Sequence, residues 1–295
     1  MKRTLLPWLQ LLRLPAVFSA LADIFAGWLV AHGSIDDGVR FGLLLGASAS
    51  LYLAGMVFND VFDRDVDAKE RPERPIPSGR VSVRSAFRLG AVLVVLGNVL
   101  AACAGIPSLV VALCLTVCIF AYDGLLKNTL VGPVAMGACR SLNVLLGASV
   151  AGNLAGIPLL HVAVALGIYI AGVTLFARNE AGVSGRMPLV VAIGVVNLGL
   201  ALLVAWFLNV SGPKAGQTAI IVLAVIVLTV DRRMVSALFE PTSARVQASV
   251  RMLLMSYITL DAAIVMHATA NVPYTLGVLA LLLPAVLLGR WMSIT

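Results

Sequence analysis

The run Asn59-Asp60-Val61-Phe62-Asp63-Arg64-Asp65-Val66-Asp67 places four carboxylates directly after a long apolar segment. Asp60, Asp63 and Asp67 are spaced i, i+3 and i+7, so a helix would present all three on one face. No Lys or Arg at helical spacing neutralises all three. A divalent cation would do so, and Mg²⁺ suits hard oxygen ligands that it shares with a substrate phosphate. The alternative is a solvated acidic helix end beside a basic loop.

The composition of the chain is that of a membrane protein. Of its 295 residues, 60% are hydrophobic and only 12% are charged, and the mean hydropathy is +1.01. Such values lie far outside the range of soluble domains. The sequence therefore predicts one all-α, polytopic integral-membrane domain over residues 1–295, with about nine or ten transmembrane helices. The predicted spans are 15–32, 41–58, 86–105, 107–122, 130–150, 158–177, 188–209, 217–231, 250–270 and 274–291.

The basic residues predict the orientation of the helices. If the loops alternate sides, only Arg40 and Lys214 lie on one side. An excess of Lys and Arg marks the cytoplasmic side of a membrane protein, which puts the Asp-rich run in the cytoplasm. These loop residues account for the net charge of +7, which therefore does not indicate nucleic-acid binding. The bases on the predicted cytoplasmic side are Lys2, Arg3, Arg13, the seven from Arg64 to Arg88, Lys127, Arg178, Arg186, Arg232, Arg233, Arg245, Arg251 and Arg290.

The segment after the acidic run, residues 69–80, alternates charges with prolines. Prolines fix the backbone and remove hydrogen-bond donors, so we expect a stiff loop here rather than a continuing helix. Its arginines, including Arg71 and Arg74, can bind phosphate oxygens through two parallel hydrogen bonds. Basic loops are common on the cytoplasmic side, but acids and bases together predict a site for a metal-bound polyanion.

These residues resemble a known signature. The pattern Asn-Asp-x-x-Asp-x-x-x-Asp followed by Arg-Pro-Ile-Pro-Ser-Gly (residues 74–79) is similar to the first signature of the UbiA superfamily of intramembrane prenyltransferases. The resemblance continues at residues 122–127 and 140–143, and it covers the chain from about Asp23 to Glu180. Within the superfamily the chain most resembles the EboC-like branch, on the basis of Asp23 and residues 140–143 and 177–181.

The resemblance implies a helical bundle around a central cavity that is open to lipid. It also implies Mg²⁺-dependent transfer of a prenyl group from an isoprenyl diphosphate to a small or lipid acceptor. Asn59, Asp60, Asp63 and Asp67 would be metal ligands. The diphosphate would contact Arg71, Arg74 and Lys127, and the Tyr122 hydroxyl would orient it. Catalysis is therefore expected to depend on Asp60, Asp63, Asp67 and Lys127.

The chain departs from the family pattern at the second motif. Family enzymes generally carry two or more aspartates between spans six and seven, whereas residues 176–186 of this chain retain a single acid, Glu180. Asn179 and Glu180 would hold a second Mg²⁺ with water, since this ion accepts few protein ligands. Alternatively, Arg178 replaces part of the metal's charge on the diphosphate. The departure also leaves open a non-catalytic carrier or exporter of a lipid-like metabolite on the same scaffold.

Ionisable residues also occur inside the predicted spans. Charged groups at membrane depth normally face the bundle interior and mark functional sites. Arg140 and Asn143 are spaced i, i+3 and are expected to face one cavity, with Asp23 contacting the acceptor or Arg140. A buried structural pair between Asp23 and Arg140 is the alternative. The sequence predicts an integral protein of the bacterial inner membrane and leaves the acceptor, the tail length and the oligomeric state open.

Overall fold

The computed structural model describes residues 2–151, 156–178, 186–210 and 217–289, and within these ranges the regular structure is entirely helical. The helices, in chain order, are α1 (Lys2–Leu11), α2 (Val17–His32), α3 (Gly38–Phe62), α4 (Arg64–Glu70), α5 (Val83–Ala104), α6 (Ile106–Ala121), α7 (Gly132–Ala148), α8 (Ile157–Ala177), α9 (Arg186–Asn209), α10 (Gln217–Phe239), α11 (Ser243–Thr269), α12 (Val272–Ala280) and α13 (Leu282–Gly289).

Local sequence signals account for several helix boundaries. The side chains of Asp37, Ser82 and Thr242 each accept a hydrogen bond from the backbone N–H three residues later, which caps the first turns of α3, α5 and α11. At the end of α2, Gly33 adopts a φ of 77°, a left-handed conformation that glycine reaches without steric cost. The polar connections seen in the sequence therefore terminate the apolar helices.

Within the described residues, nine helical segments are long and apolar enough to cross a membrane, which confirms the prediction of a polytopic all-α bundle. They correspond to nine of the ten predicted spans. The remaining span lies in α10, whose second half carries Asp231, Arg232 and Arg233. The last span is divided into α12 and α13, and Pro284 lies where the helix restarts.

The membrane helices form a closed arrangement around a cavity. Helix α2 packs against α3, α7 and α11, so the first and eighth of the nine segments observed within the described residues meet, while α3 packs against α5 and α7 against α8. Helix α13 lies against residues Leu14–Ala16, at the entrance to α2. The cavity between these helices has a volume of about 610 Å³.

Helices α2 and α7 cross at very short distance because glycines form the contact. A Cβ added to Gly27 would lie 2.0 Å from the carbonyl oxygen of Val144, and one added to Gly147 would lie 2.7 Å from that of Ile24. Only glycine permits such an approach between two helix backbones. This crossing brings Asp23 on α2 next to Arg140 on α7.

Candidate active site

The polar end of the cavity is lined by one face of α3 and its continuation into α4. Asn59, Asp63 and Asp67, spaced i, i+4 and i+8, all line the cavity. Asp63 ends α3 in a helical conformation, so the face continues into α4 with little change of direction. We call Asn59, Asp63, Asp67, Arg74 and Lys127 the polar mouth.

Asp60 is placed differently from its neighbours. It is buried and is not among the cavity-lining residues. Its Oδ1 atom accepts a hydrogen bond from Arg13 Nη2 at 2.8 Å and lies 3.4 Å from Arg74 Nη1. The structure thus directs the carboxylate of Asp60 towards two arginines, whereas sequence spacing alone had placed it on the metal-binding face.

Arg13 is a site residue that the sequence analysis did not select. It lines the cavity, and its backbone has a φ of 44°, which is uncommon for a residue other than glycine. Residues held in such conformations cluster at functional sites, where the surrounding contacts maintain them. The signal in the sequence was an arginine immediately before Leu14-Pro15, at the break between α1 and the first span.

Residues 122–126 form a single π-helical turn at the end of α6. The Lys127 N–H donates to the Tyr122 carbonyl, five residues earlier, at 2.9 Å. Such π-turns are rare and are frequently found at functional sites. The turn places Tyr122, Asp123 and Lys127 at the cavity wall, where Lys127 Nζ contacts the Asp63 carboxylate.

Asp123 is a second site residue that the sequence analysis missed. It lines the cavity, and its Oδ1 atom accepts a hydrogen bond from Asn59 Nδ2 at 2.9 Å. Because the amide nitrogen of Asn59 is occupied, its carbonyl oxygen remains the available ligand atom. Asp123 therefore fixes the orientation in which Asn59 presents oxygen to the cavity.

The remaining predicted diphosphate contacts divide into two groups. Arg74 Nη1 donates to Asp67 Oδ2 at 2.7 Å, and the exposed Arg71 also lines the cavity. Arg178 instead donates to the carbonyl oxygens of Lys127 at 2.5 Å and Thr129 at 2.6 Å, and it is not among the cavity-lining residues. The structure thus shows Arg178 holding the connection between α6 and α7. Asn179 and Glu180 lie outside the described residues.

A second polar region lies farther into the cavity. Arg140 Nη1 donates to Asp23 Oδ2 at 3.0 Å, and its Nη2 donates to Ser19 Oγ at 2.8 Å. Asn143 Nδ2 donates to the same Asp23 oxygen at 2.8 Å, while Ser48 Oγ donates to Asn143 Oδ1 at 2.8 Å. The predicted proximity of Asp23, Arg140 and Asn143 is therefore seen in the structure.

The donor set of the polar mouth fits Mg²⁺. In the described part of the chain, no three acidic, His or Cys side chains converge closely enough to hold a metal by themselves. The carboxylates of Asp63 and Asp67 are instead paired with Lys127 and Arg74. Mg²⁺ usually keeps several waters and needs only one or two carboxylates together with substrate phosphates, so these oxygens suffice.

The model of the UbiA prenyltransferase family matches residues 20–231, which include the polar mouth and the Asp23–Arg140 pair. The chain belongs to the UbiA prenyltransferase family. Sequence relatives of this UbiA chain include digeranylgeranylglyceryl phosphate synthases. That of Sulfurisphaera tokodaii is 28% identical over 48% of this chain and 51% of its own length. That of Methanopyrus kandleri is 36% identical over 48% of this chain and 52% of its own length. The chain spans about half the length of the curated relatives it matches.

Solved structures share the fold of this UbiA-family protein over most of its length. A structure described for digeranylgeranylglyceryl phosphate synthase in membranes has a TM-score of 0.69 at 22% identity, covering 92% of this chain and 100% of the other. A UbiA homologue from Archaeoglobus fulgidus bound to GPP and Mg²⁺ has a TM-score of 0.65 at 16% identity, covering 93% and 99%. At these identities the likeness establishes the fold.

Proposed function

We propose that this protein transfers a prenyl group from an isoprenyl diphosphate to an acceptor within the membrane, with Mg²⁺ as its cofactor. The observation that supports this function is that one cavity joins the polar mouth to an apolar interior. Asn59, Asp63 and Asp67 supply oxygens at the mouth, and Arg71 and Lys127 line the same space. Such a cavity fits a molecule with an anionic diphosphate head and a long apolar tail.

The cations of the polar mouth are arranged to exchange partners when a diphosphate binds. Lys127 and Arg74 now neutralise Asp63 and Asp67. Bound Mg²⁺ would supply Lewis-acid stabilisation of the diphosphate oxygens and would be held by Asn59, Asp63 and Asp67. Lys127 and Arg74 would then bind the diphosphate, whose negative charge grows as it leaves.

The interior of the cavity is suited to the reaction that follows. Apolar side chains of α6, α8 and α11, among them Leu115, Ile119, Val173 and Leu254, line it. When the bond between the prenyl C1 and the diphosphate oxygen breaks, the electron pair leaves with the diphosphate and an allylic cation remains. Apolar walls exclude the water that would otherwise react with this cation, so that the acceptor attacks C1 and releases a proton.

The comparisons support a prenyl diphosphate as the class of substrate. The related archaeal enzymes are named for a digeranylgeranylglyceryl phosphate product, and homologues of the same fold have been solved with GPP or DMAPP and Mg²⁺. The protein is an integral membrane protein. We propose that the polar mouth lies on the cytoplasmic side of the membrane, because the basic residues predict that orientation.

Diphosphate release by the purified protein in lipid nanodiscs tests this function. The protein is incubated with geranyl, farnesyl or geranylgeranyl diphosphate and a membrane lipid extract, with Mg²⁺ or with EDTA. We expect Mg²⁺-dependent release of diphosphate together with a prenylated lipid. Thermal protection by a prenyl diphosphate without any release of diphosphate would instead indicate the carrier. If the protein shows no protection and no release, both the enzyme and the carrier are refuted.

A further inference from the structure

The second polar region of the cavity is separate from the polar mouth. Its lining side chains, which we call the deep polar patch, are Ser19, Ser48, Tyr52, Arg140 and Asn143. Tyr52 precedes Asn59 by seven residues on α3, which corresponds to about 10 Å along the helix. The patch therefore lies too deep to contact a diphosphate bound at the mouth.

The deep polar patch is also a poor surface for an isoprenoid tail. Against hydrocarbon, the Tyr52 hydroxyl and the remaining N–H groups of Arg140 would have no hydrogen-bond partner. Apolar residues of α11 and α13, among them Val250, Leu254, Ile258 and Ala285, line another wall of the same cavity. The tail fits that wall, which leaves the deep polar patch for the other substrate.

Building on the proposed function, we propose that the deep polar patch binds the acceptor and selects an uncharged molecule that carries hydroxyl groups. The charges around the patch favour an acceptor that carries no net charge. Arg140 is already neutralised by Asp23, whose Oδ2 atom lies 3.0 Å from Arg140 Nη1. The patch therefore offers no excess positive charge to an anion at membrane depth.

The hydrogen bonds of the patch support a hydroxylated ligand. Ser48 donates to Asn143, and Asn143 donates to Asp23, so these hydrogen bonds hold the patch in one arrangement. The hydroxyl of Tyr52 makes no hydrogen bond within the described residues, although its ring lies 5.3 Å from the Arg140 guanidinium carbon. A hydroxyl can both donate and accept a hydrogen bond, so Tyr52 suits a ligand that carries a hydroxyl better than a purely apolar ligand.

The distance from the mouth limits the size of the acceptor. The prenyl C1 is attached to the diphosphate near Asn59, and Tyr52 lies about 10 Å along α3 from that residue. The Tyr52 side chain and the diphosphate take up part of this interval, so a short polyol or a diphenol fits the rest, with one hydroxyl at Tyr52 and another at C1. In the reaction the attacking hydroxyl forms a C–O bond to C1, the diphosphate leaves with the electrons of the broken bond, and it takes up the hydroxyl proton.

Matched acceptors test the charge of the ligand. Purified protein in nanodiscs receives geranylgeranyl diphosphate, Mg²⁺ and either a monoalkylglycerol or its monophosphate ester. A long-chain alkylresorcinol or its monophosphate ester provides the second pair, and each ester keeps one free hydroxyl to attack C1. We expect prenyl transfer to an uncharged member to exceed transfer to its phosphate ester by on the order of 10²-fold. Equal or preferred use of the phosphate esters would overturn the proposal, as would transfer to none of the four.

Variants of the patch test the assignment to these residues. Tyr52→Phe should raise KM for the uncharged acceptor about five- to tenfold, the value of one neutral hydrogen bond, and leave KM for the prenyl diphosphate unchanged. Tyr274→Phe, which removes a hydroxyl near Ile35 outside the cavity, is the matched control. Asp23→Asn retains an oxygen for Arg140 but removes the balancing charge, so it should shift preference towards the phosphate esters.

These outcomes separate the present inference from the proposed function. Unchanged acceptor kinetics in Tyr52→Phe, together with unchanged preference in a folded Asp23→Asn variant, would overturn the assignment of the patch while prenyl transfer continued. Thermal melting in the same nanodiscs establishes that each variant is folded. If the unmodified protein shows no Mg²⁺-dependent binding of the prenyl diphosphate, the proposed function itself is refuted.

Discussion

The polar mouth and the deep polar patch both pair carboxylates with cations, but they do so in different surroundings. At the mouth, the side chains of Lys127 and Asp63 are 26% and 22% exposed. At the patch, the side chains of Arg140 and of its partner Asp23, which does not line the cavity, are 9% and 0% exposed, and Asn143 donates to the same Asp23 oxygen. The Lys127–Asp63 side of the mouth is thus partly hydrated, although Arg74 and Asp67 beside it are only 14% and 6% exposed, whereas the patch is enclosed by protein.

This difference determines what each pair can do. A partly hydrated ion pair contributes little to stability and is easily exchanged for another partner. A buried pair leaves an uncompensated charge when one partner is lost, so it is held in place. The mouth is therefore suited to accept a metal and a diphosphate, and the patch is suited to present a fixed surface to an uncharged molecule.

The largest effect is expected from removing one partner of the buried pair. Asp23→Ala leaves Arg140 without its counter-ion and should lower the free energy of unfolding by about 3–5 kcal/mol. Thermal or denaturant unfolding in detergent measures the change. Asp65→Ala, at an 85% exposed side chain beside Arg64, is the control and should have little effect. Similar losses in the two variants would contradict the proposed difference between the regions.

Removing a carboxylate from the mouth should affect turnover more than folding. Asp63→Ala deletes a proposed metal ligand and leaves Lys127 without its partner, so turnover should fall on the order of 10²–10³-fold. Steady-state diphosphate release at varied Mg²⁺ concentration measures it. A variant that kept normal Mg²⁺ dependence would show that the face of α3 that lines the cavity does not hold the metal.

Much of the fold could be predicted from the sequence because the lipid environment constrains it strongly. A chain with so few charges must place them at helix ends or inside the bundle, so the apolar segments correspond to the observed helices. The division of the last span at Leu281 and the π-turn at residues 122–126 were not predicted. Both depend on packing against distant elements, to which local hydropathy is insensitive.

The candidate site was predicted in part. Asn59, Asp63, Asp67 and Lys127 of the predicted site line one cavity, but spacing alone did not distinguish the face with Asp60 from the face with Asn59. Arg13 was missed because it meets Asp60 only through folding, 47 residues away in sequence. The EboC-like branch, the single domain and the metal role of Asn179 and Glu180 stay predictions.

The close crossing of α2 and α7 allows the rigidity of the deep polar patch to be tested. Gly27→Ala would place a Cβ 2.0 Å from the Val144 carbonyl oxygen, so the helices must separate and Asp23 must move from Arg140. Such overpacking should cost about 1–3 kcal/mol in unfolding free energy. Gly42→Ala on α3, where nothing lies within 4 Å of the added Cβ, is the control and should be neutral or slightly stabilising.

The smallest effect is expected from Asp60, and it distinguishes supporting residues from ligands at the mouth. Asp60→Asn weakens the contacts with Arg13 and Arg74 but leaves the cavity-lining oxygens of Asn59 and Asp63 in place. If Asp60 orients other residues and does not bind the metal, its substitution should reduce activity about tenfold, which is the low end of the range for residues that support metal ligands. The Mg²⁺ concentration at half-maximal rate should stay near that of the unmodified protein. If Asp60→Asn instead required far more Mg²⁺, Asp60 would be a direct ligand, and its side chain would have to turn away from Arg13 when the substrate binds.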